Sequence, residues 1–186
     1  MVTQELYHRF KQRLGAAGGE CHEAAHLQAA ADIIAAHPAL AGKELVIAPD
    51  FSLCRPWDEL LPMLEERGIR LRLAAKPAEV ADAPAGLSAA EMAIAETGSV
   101  MLAENSLEGR VVSMLTLTHF VLVRAQDLFP RLDQAGERLQ QLTRQRADPR
   151  RYISLITGPS RTADIERTLT IGVQGPKAVC VIVVNV

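Results

Sequence analysis

Apolar positions along this chain fall into two rhythms, one every three to four residues and one in short unbroken runs. Leu6, Phe10 and Leu14 recur at helical spacing, so residues 3–14 predict a short amphipathic helix, broken by Gly15, Gly18 and Gly19. A second helix is expected from Cys21 to Ala36, with Leu27, Ala30, Ala31 and Ile34 on one stripe and His37-Pro38 as its stop. Lys43–Ala48 reads as a short buried strand. A helix should follow from Pro56 through Leu60, Leu61 and Leu64 to Gly68, although Pro62 removes one of its internal bonds. Ile69–Leu73 alternates apolar and charged residues, the pattern of a strand near a sheet edge, and Lys76–Pro84 reads as a connecting loop. Ser88 and Glu91 have the spacing of a capping box. Met92–Ala95 and Val100–Ala103 predict two strands joined by a turn. Val111–Leu117 is apolar with Ser and Thr interleaved, and His119–Val123 is a strand of the fully buried kind. Leu128–Gln145 has helical periodicity, and the last strand is Ala178–Val184.

One further stretch organises the second half. The β-favouring run Tyr152–Thr157 meets Gly158-Pro159-Ser160-Arg161-Thr162-Ala163-Asp164-Ile165-Glu166, which reads as strand, tight turn and helix. Ser160 or Thr162 would cap that helix and Gly172 would end it. This order places Ser160, Arg161 and Thr162 at the carboxyl edge of a sheet, where ligands of open α/β folds bind. Strands alternating with helices favour a mostly parallel sheet with helices on both faces, an α/β fold.

Composition narrows the function classes. Hydrophobic residues make up 48% of the 186, enough for one domain with a sizeable core. Aromatics are 4% and the net charge is −2 without a basic block, which argues against a nucleic-acid partner. No apolar run approaches the roughly 18 residues of a membrane span, and residues 1–14 lack a signal-peptide core, so the cytoplasm is the expected compartment. Cys21, Cys54 and Cys180 are widely spaced with no C-x-x-C pair. No metal centre or cluster is therefore expected within this chain, and its thiols are expected to be free.

Three groups could carry chemistry. In Glu96-Thr97-Gly98-Ser99 a carboxylate stands at the mouth of a buried strand, as a nucleophile or general base, or as an acceptor for its own turn. Gly98 would let the backbone turn tightly or let a ligand approach beside Thr97. Ser160, Arg161 and Thr162 at a helix start suit a small carboxylate or phosphate, while Asp164 and Glu166 in the same turn weaken that reading. His119 is a secondary catalytic candidate or a hydrogen-bonded core residue. His22 and His26, four apart, could offer two imidazoles to a metal, but helical spacing supplies no third ligand.

Together these segments resemble the LUD domain family. Ala95-Glu96-Thr97-Gly98-Ser99 is similar to its A-E-T-G-[ST] turn, and Gly109-Arg110 through Thr118-His119-Phe120 to its G-R-x-x-S-x-L-P-x-x-H region. Gly158–Glu166 is similar to G-P-S-R-T-A-D-I-E, and Gly172-Val173-Gln174-Gly175-Pro176 to G-V-H-G-P. Thr116-Leu117 and Gln174 depart from that pattern, where the family commonly has Leu-Pro and His. The resemblance implies a single α/β domain over residues 20–186, after an N-terminal helix and linker at 1–19, similar to the ribose-5-phosphate isomerase and CoA-transferase superfamily. It implies a subunit of a bacterial L-lactate oxidation system, with iron–sulfur clusters carried by partner proteins. The alternatives are an autonomous CoA-transferase-like enzyme using Glu96, and a regulator that binds a hydroxy or keto acid.

Overall fold

A computed structural model describes residues 4–144, 149–163 and 167–186. In chain order the elements are α1 (Gln4–Ala16), β1 (Glu20–Ala24), α2 (Leu27–Ala36), β2 (Glu44–Ile47), α3 (Leu60–Glu66), β3 (Arg70–Leu73), α4 (Pro77–Val80), β4 (Ala85–Ala89), β5 (Met92–Ile94) and β6 (Ser99–Ala103). They continue with α5 (Leu107–Leu115), β7 (Thr118–Arg124), β8 (Leu128–Phe129), α6 (Ala135–Arg144), β9 (Ile153–Ile156), β10 (Arg161–Thr162), β11 (Thr170–Ile171) and β12 (Ala178–Val184).

Six strands form an all-parallel sheet in the order β1-β12-β7-β4-β2-β3. Its central strands are apolar on both faces, as a sheet covered on both sides requires. On one face, Leu45, Leu87, Phe120, Leu122 and Ile182 pack with Ile34 of α2 and with Leu60 and Leu64 of α3. On the other, Val121, Val123, Val181 and Val183 meet Phe10 and Leu14 of α1 and the inner side of a smaller sheet, β8-β5-β6-β9. α4 and α5 extend that layer over Val46, and α6 covers the outer side of the small sheet through Ala135 and Leu142. This is the expected α/β architecture with a mostly parallel central sheet. No described helix is long and apolar enough to cross a membrane.

Several local expectations are corrected. Glu20–Ala24 is the edge strand β1, not the first turns of a helix, because its backbone pairs with β12; the helix starts at Leu27, with the His26 side chain as its cap. Lys76–Pro84 contains the short helix α4, and Ser88 sits inside β4 rather than capping a helix. The apolar run from Val111 belongs to α5, whose cap is Ser106. The expected helix over Leu128–Gln145 begins only at Ala135, since Leu128 and Phe129 pair with β5 instead. Thr3 and Gln145, the outer limits of two expected helices, lie outside the described residues.

The largest correction concerns the Gly158 stretch. β9 does precede it, but Arg161 and Thr162 pair with Ile171 and Thr170 in a small antiparallel ribbon, so among the described residues no helix starts at Ser160 or Thr162. Asp164, Ile165 and Glu166 lie outside the described residues. The stretch also sits at the opposite end of the sheet from the one expected. The Ser160 N–H donates to the Pro176 carbonyl, just before β12 begins, and the Lys177 N–H donates to Leu117, just before β7 begins. That is the amino end of the parallel strands.

Candidate functional site

Parallel strands bring their carboxyl ends to one edge, and a crevice opens there wherever neighbouring strands send their connections to opposite faces. β2 and β4 are such neighbours. After β2 the chain passes to α3 on one face, and after β4 it passes to β5 and β6 on the other. Between them lies a cavity of about 300 Å³, and charged residues from several elements line it: Asp50, Glu91, Glu104, Arg124, Arg138 and Arg150.

Most of these side chains are placed by an element's end. Glu91 follows β4, Glu104 follows β6 and Arg124 closes β7. Arg138 projects from α6 and pairs with Glu91 (Nη2 to Oε2, 3.0 Å), while Arg124 pairs with Asp127 (Nε to Oδ2, 2.5 Å). The Nε atoms of Arg138 and Arg150 are buried and have no hydrogen-bond partner among the described residues. Partly buried guanidinium groups lining a cavity suit an anion, because a charged acceptor offsets the desolvation of donors left unpaired. Glu104 is the complementary group. Burial, and then the Asp50 carboxylate, push its carboxyl up to about 7, against the pull of Arg150. A carboxyl that titrates near neutrality can give or take a proton at working pH. Gly109 makes room for it, since a Cβ there would overlap the Glu104 carboxylate. Cys54 also lines the crevice; burial raises its thiol, which donates to the Asp50 carbonyl at 3.6 Å.

The residues singled out in the sequence lie elsewhere. Glu96 is exposed, and its Oε2 accepts from the Leu132 N–H at 3.1 Å; Thr97 beside it is also exposed. Gly98 has φ +71°, and a Cβ there would overlap the backbone of Arg13 and Leu14, so this glycine lets α1 dock onto the turn. His119 is fully buried in β7. Its Nε2 bonds Ser88 Oγ at 3.0 Å, its Nδ1 has no partner among the described residues, and burial pushes it down to about 3, so the imidazole is neutral. Arg161 donates to the Ala17 carbonyl just past the end of α1. Thr162 is tied into the antiparallel ribbon.

The amino end nevertheless gathers the recognisable segments. Ser99 and Thr157 share a 2.5 Å hydroxyl–hydroxyl bond, and the Gly172 N–H donates to the Ser160 carbonyl. Ser113, Thr157, Ser160 and Gln174 line a second cavity of about 280 Å³. Of the expected site residues, Ser160 lines the second cavity; Glu96, Thr97, Gly98, His119, Arg161 and Thr162 line neither the crevice nor that second cavity. The sequence reading missed the crevice charges. The signal was there: a charged residue stands directly after the apolar runs ending at Ala103 and Val123.

Comparison with known proteins follows the same segments. The family model described as the LUD domain matches residues 61–184. Lactate utilization protein C of Bacillus velezensis is 36% identical over 131 residues, covering 69% of this chain and 52% of that protein. The protein of the same name from Shouchella clausii is 38% identical over 108 residues, covering 58% of this chain and 46% of its own. The chain thus spans about half the length of the curated relatives it matches. A crystal structure of a DUF162 family protein from Deinococcus radiodurans superposes with a TM-score of 0.66 at 22% identity, over 97% of each chain. That likeness concerns the fold.

Proposed function

Since the chain belongs to the LUD domain family, we propose that it serves lactate utilisation, as a subunit of a system that oxidises L-lactate to pyruvate. Its relatives named lactate utilization protein C support the process. The observation that carries the site is the crevice at the carboxyl ends of β2 and β4, where Arg138 and Arg150, whose buried Nε atoms have no partner among the described residues, line a cavity together with Glu104. There the guanidinium groups bind the carboxylate of a 2-hydroxy or 2-oxo acid, and Glu104 exchanges the proton of its oxygen at C2.

Oxidation of lactate releases two electrons and two protons. The electrons pass to iron–sulfur proteins of the same system. An iron–sulfur cluster is held by four thiolates as a rule, and Cys21, Cys54 and Cys180 are three and lie apart in the sequence, which supports placing the clusters in partner proteins. The transferase alternative required Glu96 in a cleft, and its exposed position beside Leu132 gives that reading no support.

Thermal unfolding with L-lactate, pyruvate, phosphate and an acyl-CoA tests the site, since a ligand of the folded state raises its stability. A saturable rise with lactate or pyruvate, lost in Arg150→Ala, is the expected result. A rise with acyl-CoA alone would favour the transferase. No rise with either acid, alone or with the iron–sulfur partners present, would refute the crevice as the lactate site.

A further inference from the structure

A second cluster of potential ligands lies on the edge strand β1, away from both cavities. Strand alternation turns Glu20 and His22 to the same face, and the parallel register sets Glu20 opposite Cys180 of β12. One ligand atom from each of Glu20, His22 and Cys180 lies within 4.8 Å of the others. His22 Nε2 is 3.7 Å from Glu20 Oε2, and His37 Nε2 approaches the same oxygen at 3.4 Å from the end of α2.

We propose that Glu20, His22 and Cys180 bind a divalent cation of the zinc class. A thiolate, an imidazole and a carboxylate form a borderline-soft donor set that suits zinc. With bonds of about 2.0–2.3 Å, tetrahedral ligand atoms stand roughly 3.5 Å apart, so the cluster must close by about 1 Å. Glu20 and His22 already stand 3.7 Å apart, and both side chains are partly exposed, so together they can supply that movement toward the buried Cys180. Water from the exposed side fills the fourth position.

The histidines have distinct roles. His37 Nδ1 accepts from the Ala39 N–H at 3.1 Å, so in the neutral ring Nε2 carries the hydrogen and donates toward Glu20. Its ring also stands edge-on to Phe120, with centroids 4.9 Å apart, which fixes its orientation. His37 is thus a positioning residue for the carboxylate rather than a ligand. His26, the partner expected for His22 at helical spacing, caps α2 through its Nδ1 instead. Binding replaces the Cys180 thiol proton by the cation and releases that proton to solvent. The bound ion would pin the edge strand to β12.

Titration of the full chain with Zn²⁺ by calorimetry, and with Co²⁺ by absorption, reads the site directly and needs no lactate. The expected result is one ion per chain with a thiolate-to-cobalt charge-transfer band. His22→Ala and His37→Phe should each weaken binding by about 10-fold or more, and the exposed His8→Ala not at all. Cys180→Ser should abolish the band; because Cys180 is buried and its variant could fail to fold, His22→Ala is the decisive one. Absence of the band in the wild-type chain, or unchanged Zn²⁺ affinity in His22→Ala, would overturn the proposal.

Discussion

Replacing Glu104 by Gln should stabilise the protein at alkaline pH and leave it nearly unchanged in acid. In the folded chain its carboxyl is raised from 4.5 to about 7, chiefly by burial. A raised carboxyl means that the folded state holds a proton which the unfolded state has lost. The associated stability is fully present below pH 4.5 and is lost as pH rises through about 7. At about 1.36 kcal/mol per pH unit the loss is about 3 kcal/mol. The first turn of α5 lies against the carboxylate at Gly109, and a helix N-terminus favours the charged form by roughly 0.3–1 kcal/mol. About 2–3 kcal/mol therefore remains. Glutamine keeps the shape and cannot ionise, so Glu104→Gln should gain that amount over wild type in urea unfolding at alkaline pH, with the gap closing in acid. A gap independent of pH, or a glutamine variant less stable at alkaline pH, would show that Arg150 and α5 hold Glu104 ionised, and the proton-exchange role would fall with it.

Three other substitutions test the rest of the structure. His119→Gln keeps a partner for Ser88 but removes a buried imidazole pushed down to about 3; the wild type should therefore lose stability relative to the variant as pH falls from 6.5 toward 3, by up to about 5 kcal/mol. Equal acid sensitivity of the two chains would count against a buried neutral His119. Gly98→Ala should cost about 3 kcal/mol or more in denaturant unfolding, because a left-handed φ costs roughly 1–2 kcal/mol and the added Cβ displaces α1, which buries Phe10 and Leu14. Gly15→Ala, in the same helix with open space around it, should instead gain about 0.5–1 kcal/mol; a loss there would mean that the two glycines are not distinguished by the contacts of α1.

Elements whose apolar pattern is local and continuous are readable from the residues alone. α1, β2, the β5–β6 pair, β7 and β12 were legible because Leu6, Phe10 and Leu14 repeat at helical spacing and Ala178–Val184 is apolar throughout. The α/β class followed from their order, and the motifs pointed to the family. Tertiary structure decided what those patterns leave open. Glu20–Ala24 carries no strong period of its own, and only the exposed backbone edge of β12 makes it a strand. Ser160, Arg161 and Thr162 read as a helix start, but Arg161 and Thr162 pair with Ile171 and Thr170 in a ribbon, beside which the Ser160 carbonyl accepts from the Gly172 N–H. The crevice illustrates the same limit. Asp50, Glu104, Arg124 and Arg150 are scattered along the chain; Asp50 and Arg124 come from the ends of parallel strands β2 and β7, while Glu104 and Arg150 flank the antiparallel pair β6 and β9 of the smaller sheet. Local periodicity records which face a residue shows; it does not record which distant strand end lies beside it, because that depends on the crossovers and on pairing energies shared by the whole sheet.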